Sequence, residues 1–160
     1  AARKISYYSS KKDLDGVVYE YERLTSISIC MCAPMFYISF YYGEEILKIV
    51  GNEFTDAYYI LVVIMIGQVV NVITGPVGYL LAMTGNEKTY KLITYESLII
   101  CVVLGILFIP YYEGIGAAVV AMINVTYFNF RAWIWARKNM GVTLIPKLNI
   151  LELGLAYKKE

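Results

Sequence analysis

Glu96 and Arg131 are the two formal charges set well inside apolar stretches of this 160-residue chain. A charge in hydrocarbon is costly, so it faces a bundle interior or water, often with a partner of opposite sign. Glu96 lies six residues into the apolar stretch 90–109, and Arg131 lies five residues before the end of the next one, 114–136. Across an antiparallel hairpin they reach similar depth, ~8–9 Å from the boundary by helical rise. Two readings follow: an interhelical pair or cavity charge, or separate snorkelling of each side chain to the interface. Asn124, Thr126 and Asn129 add polarity to the second of these stretches.

A second constellation lies in "GQVVNVITGPVGYLLA". Gly67, Asn71, Gly75, Gly78 and Ala82 are 4, 4, 3 and 4 apart, the recurrence of one helical face. Gln68 and Thr74 flank that face, while Val69, Val70, Ile73, Val77, Leu80 and Leu81 occupy the opposite one. Small residues let helix backbones approach, so the face reads either as tight packing or as the wall of a polar cavity. Gln68 and Asn71 favour the cavity. Gly75, Pro76 and Gly78 form an expected hinge, because a mid-helix Pro removes one backbone bond.

Other chemistry is harder to find. The chain has no His, the commonest general base and metal ligand. Cys30 and Cys32 are two apart and point to nearly opposite helix faces, so with Cys101 they read as small apolar packing residues. No phosphate-cradling loop, nucleophile elbow or metal-spaced acidic pair occurs. The expectation is a chain that is not an enzyme and uses no metal or cofactor. The sequon at Asn124–Thr126 lies mid-stretch and is discounted.

The elements that must position these residues are membrane helices. Hydrophobic residues make up 59% of the chain and charged residues 17%, against about 25% charged in ordinary soluble domains; mean hydropathy is +0.56. Four stretches, 24–42, 57–83, 90–109 and 114–136, approach or exceed the ~20 residues needed to span a bilayer. The predicted fold is an all-α, polytopic membrane bundle. Residues 1–23 form a cytoplasmic amphipathic segment, 24–136 the four-helix transmembrane region, and 137–160 a cytoplasmic or interfacial tail. Residues 46–50 suit a short helix lying on the outer surface. "PYYEG" is short enough to force a hairpin, and Gly114, Ala118 and Ala121 form a packing face. The opening "AARKISYYSS" reads as a cut from a longer protein.

Lys and Arg concentrate on the side shared by both ends and the 84–89 connection; the other side holds only Lys48 among acidic residues. Basic loops are cytoplasmic, so both ends are expected in the cytoplasm and the chain in the plasma membrane. The basic residues form no single patch, which argues against nucleic acid as a partner.

The runs "GEEILKIVGNEFTDAYYIL", "GQVVNVITGPVGYLLAMTGNEK" and "LFIPYYEGIGAAVVAMI", in that order, resemble the polysaccharide branch of the multidrug/oligosaccharidyl-lipid/polysaccharide exporter superfamily. The resemblance covers about residues 11–137, and the "GP-x-GYLL-x-MTG-x-EK" run is its most specific part. It departs at Tyr111-Tyr112, where Tyr-Gly is expected. The resemblance implies a two-lobed fold working by alternating access, with these four helices forming part of the second lobe. It further implies a lipid-linked oligosaccharide as substrate, membrane lipid and the remaining helices of a full-length flippase as partners, and a possible coupling ion. Two alternatives stay open: a cation-coupled multidrug exporter of the same superfamily, and a non-transporting membrane scaffold subunit.

The charge asymmetry yields a topological prediction. With the native cysteines removed, single cysteines at 44, 53 and 113 should react with an impermeant thiol reagent applied outside the cell, and one at 88 should not. Labelling at 88 but not at 53 would reverse the topology.

Overall fold

The computed structural model describes residues 2–11, 13–51, 55 and 57–141. Among these the chain is almost entirely helical, with no strand. Five helices follow one another: α1 (Ala2–Ser10), α2 (Leu14–Val50), α3 (Tyr58–Thr74), α4 (Val77–Met83) and α5 (Glu87–Met140). Helices α2 and α5 are long and apolar enough to cross a membrane, and the bent pair α3–α4 makes a third candidate. Their exposed surfaces are apolar, with Met31, Ile38, Leu98, Val102 and Ile106 on the outside, as lipid-facing helices require. Of the expected tail, 137–160, residues 137–140 continue α5; residues 142–160 and much of the 51–57 connection lie outside the described residues.

Within the segment expected to be amphipathic, 1–23, α1 ends at Ser10 and α2 begins at Leu14. Asp13 divides them: its side chain accepts a hydrogen bond from the Gly16 amide at 3.0 Å, an N-cap that restarts the helix. A methyl group at Gly16 would come within 2.5 Å of Tyr8 Cδ1, so α1 lies tightly on the first turns of α2. The apolar face of this segment is buried in protein: Ile5, Val17 and Tyr21 are each 1% exposed.

An expectation is corrected at the other end of α2. No separate surface helix follows the first span; α2 continues without interruption from Leu14 to Val50. Gly43 does not end it, because the space a side chain would need is filled by Tyr58 and Leu61 of α3. An i,i+4 bond from Lys48 Nζ to Glu44 at 2.8 Å adds a few tenths of a kcal/mol to the last turns. At ~1.5 Å per residue its 37 residues measure about 56 Å, well beyond a ~30 Å hydrocarbon layer.

Helix α5 is a hairpin in helical continuity. Glu113 has φ 46° and ψ −122°, a conformation that breaks the helix, and the chain folds back there. Residues 87–112 and 114–140 become antiparallel arms: Tyr90 meets Phe128 edge-on at 5.9 Å, and Ser97 donates to Asn124. Gly116 permits the close return, since a Cβ there would stand 2.6 Å from the Phe108 carbonyl oxygen. In the expected small face, Ala118 is buried but Ala121 is exposed; Gly116 and Val120 are buried instead.

Helix α2 runs antiparallel to α3, with Tyr58 donating to the Phe40 carbonyl at one end and Tyr21 to the Thr74 carbonyl at the other. Helix α3 runs alongside the second arm of α5, where Gly67 lies against the backbone of Met122 and Gly114 against Ile60. The buried core gathers Ile5, Val17, Tyr21, Val77, Leu80, Leu81, Ile93, Ala132, Trp133 and Ala136. It therefore plugs the end where α1, the start of α2, α4 and both ends of α5 meet.

The long second stretch, 57–83, is broken rather than gently kinked: α3 and α4 meet at 45°. The break is centred on Gly75, at φ 63° and ψ −163°, a region essentially open to Gly alone. Pro76 serves as the N-cap of α4, its carbonyl accepting from Leu80 at 3.0 Å. The backbone constraint thus sits one residue earlier than a proline kink would put it. Gly75→Ala should cost about 1–3 kcal/mol or more, because it adds strain and collides with Thr25. Pro76→Ala should cost well under half as much and leave the bend in place. Unfolding of both variants in detergent measures the contrast; equal losses would move the constraint back to Pro76.

Candidate functional site

A cavity of about 470 Å³ opens between the α3–α4 break and the two arms of α5. Asn71 comes from the last turns of α3, Gly75 and Pro76 from the break, and Gly78 and Tyr79 from α4. The first arm of α5 contributes Tyr90, Thr94 and Ser97, and the second contributes Asn124, Val125, Phe128 and Asn129. None of these twelve lining residues carries a formal charge. The lining is uncharged and mixed, with amide and hydroxyl groups set among aromatic and apolar surface.

Each polar group has a structural reason for its position. Thr94 donates to the Tyr90 carbonyl at 2.8 Å within its own helix. Asn124 accepts from the buried Ser97, tying the arms together at mid-height. Asn129 is also buried, its amide donating to the Val125 carbonyl at 2.9 Å. Asn71 is exposed, and its amide donates to Gln68 Oε1 at 3.1 Å. Amide and hydroxyl groups both donate and accept, so the cavity suits a neutral, hydroxyl-rich ligand better than an ion.

The structure distributes the residues singled out from sequence over three places. Asn71, Gly75, Pro76 and Gly78 line the cavity. Gln68 does not; it lies one turn away and holds Asn71. Glu96 and Arg131 are outside the lining but come together, Arg131 Nε standing 3.7 Å from Glu96 Oε2. Tyr127 donates its hydroxyl to the same carboxylate oxygen at 2.9 Å. Across the hairpin, two side chains thus share the Glu96 carboxylate oxygen.

The small-residue face also divides. Gly67 packs against Met122, with 3.0 Å between an added Cβ and the Met122 Cα, while Gly78 has Tyr90 and Phe128 at 3.3 and 3.4 Å. Packing and cavity wall therefore occupy successive turns of one stripe. Sequence reasoning passed over Thr94 and Ser97, whose only signal is polarity at i,i+3 in an otherwise apolar helix. It also passed over Tyr21 and Thr25, which grip the break from α2. The three cysteines are free and separate, and among the described residues no His, Cys, Asp or Glu cluster could hold a metal.

Glu96 and Arg131 are about one-third and two-fifths exposed, so their coupling should fall below the ~3–5 kcal/mol lost when a fully buried pair is broken. A double-mutant cycle of Glu96→Gln and Arg131→Gln should give about 1 kcal/mol. The exchange Glu96→Arg with Arg131→Glu should recover part of either single loss. Strictly additive losses would show that the side chains act separately. No family model, curated protein or solved structure matches the chain, so its function is argued from this geometry.

Proposed function

We propose that this chain is part of an alternating-access exporter that moves a lipid-linked oligosaccharide across the plasma membrane without changing it covalently. In this reading α2, the α3–α4 pair and the two arms of α5 are four spans of the second lobe, with both ends in the cytoplasm. The reading is carried by one observation: an uncharged cavity that offers amide and hydroxyl groups beside a broken helix. Broken spans whose unwound segments face a cavity are a recurring device of secondary transporters. Sugar hydroxyls would exchange hydrogen bonds with Asn71, Thr94 and Asn124, as the neutral groups of the lining allow.

The same observation weighs against the drug-exporter alternative. A cationic drug calls for a carboxylate in the site, and the one membrane-depth carboxylate near it, Glu96, is outside the lining and shared by Arg131 and Tyr127. The pyrophosphate of the lipid carrier and any coupling ion would be held by helices of the other lobe. A scaffold subunit would have no use for a polar cavity at membrane depth, where buried polar groups cost free energy.

Asn71→Leu tests the reading in the full-length protein. Asn71 is exposed and its side-chain amide donates to Gln68, so the amount of protein in the membrane should not change. Oligosaccharide export per molecule should fall about fivefold, the equivalent of one hydrogen bond worth ~1 kcal/mol. Undiminished export would remove the cavity from the transport path.

A further inference from the structure

We infer that α2 locks the helix break through Tyr21 and Thr25, which makes Tyr21 a positioning residue for the cavity wall; its consequence for transport rests on the function proposed above. In a continuous helix the Thr74 carbonyl would accept from the amide of residue 78. The break removes that partner, and the Tyr21 hydroxyl, reaching from α2, donates to the Thr74 oxygen instead. Thr74 is itself 2% exposed, so water does not serve that carbonyl.

Thr25, one turn further along α2, completes the lock. Its hydroxyl donates to the Tyr21 carbonyl at 2.9 Å, which fixes its rotamer. Its side chain then occupies the space that any Cβ on residue 75 would need. The glycine is thus required twice, by its backbone angles and by the close approach of α2. Beyond the break, Val77, Leu80 and Leu81 are fully buried in the cluster that contains Ile5, Val17 and Tyr21.

The mechanical consequence is specific. Helix α4 carries Gly78 and Tyr79 into the cavity wall, while Val77, Leu80 and Leu81 join it to α1, α2 and α5 in the buried core. Straightening the chain at Gly75 would return the Thr74 carbonyl to the amide of residue 78 at the expense of the Tyr21 bond, and would lift α4 off its contacts with α1 and α5.

Spin-label distances in the full-length protein test the lock independently of transport. In a background lacking Cys30, Cys32 and Cys101, one label pair replaces Met35 on α2 and Tyr79 on α4; a control pair replaces Met35 and Ile106, which do not bracket the break. Tyr21→Phe keeps the buried ring and removes only the hydroxyl. The ratio of displaced to docked α4 should rise about fivefold, as losing ~1 kcal/mol of hydrogen bonding predicts, with the control pair unchanged. An unchanged 35–79 distribution, or equal broadening of both pairs, would overturn the lock. Export by the same variant separates the two claims: displaced α4 with normal export upholds the lock and removes its role in transport.

Discussion

A backbone carbonyl freed inside an apolar helix bundle has no water to turn to, and leaving it without a donor costs several kcal/mol. The break after Thr74 creates such a carbonyl, and the Tyr21 hydroxyl answers it. Much of the packing at that end of the molecule is arranged around this contact. Helix α2 must run close to α3, which requires glycine at 75 and a short hydroxylated side chain at 25. The bend then turns the apolar face of α4 inward, where Val77, Leu80 and Leu81 join α1, α2 and α5 in the buried core. The opposite side of the same bend leaves the polar cavity.

The two ends of the bundle consequently differ in character. At one, short helices and turns interlock around tightly buried side chains. At the other, the Tyr58 hydroxyl on the Phe40 carbonyl joins α3 to α2, and much of the described surface there is exposed and apolar. Between them the hairpin arms are joined by polar bonds, Ser97 to Asn124 and Glu96 to Tyr127 and Arg131. Such bonds hold apolar helices in register where apolar packing alone discriminates little.

The apolar runs were legible in the sequence because membrane helices advertise themselves by length and composition. The small-residue stripe was legible as a periodicity, and Gly75-Pro76 as a place where a helix would fail. Which of the two residues carries the constraint was not, because a proline signals a break by its own chemistry, whereas the need for positive φ at Gly75 follows from where α2 lies. The limits of α2 were misread for a related reason. Gly43 and the charged pair Glu44 and Lys48 look like an exit from the bilayer, yet neither prevents helix formation, and α3 fills the glycine's open side. Tyr21 and Thr25 carried no local signal at all: one is a tyrosine among many, the other a threonine at the head of an apolar run. Their roles are set by a partner about fifty residues away in sequence.

The central claim is that the Tyr21 hydroxyl satisfies the carbonyl freed at the break. Isotope-edited infrared spectroscopy of a labelled Thr74 carbonyl reads that bond directly, in the native chain and in Tyr21→Phe. The account predicts a hydrogen-bonded band in the native protein that moves to the higher frequency of a free carbonyl when the hydroxyl is removed. A Thr74 band at the same position in both would contradict it.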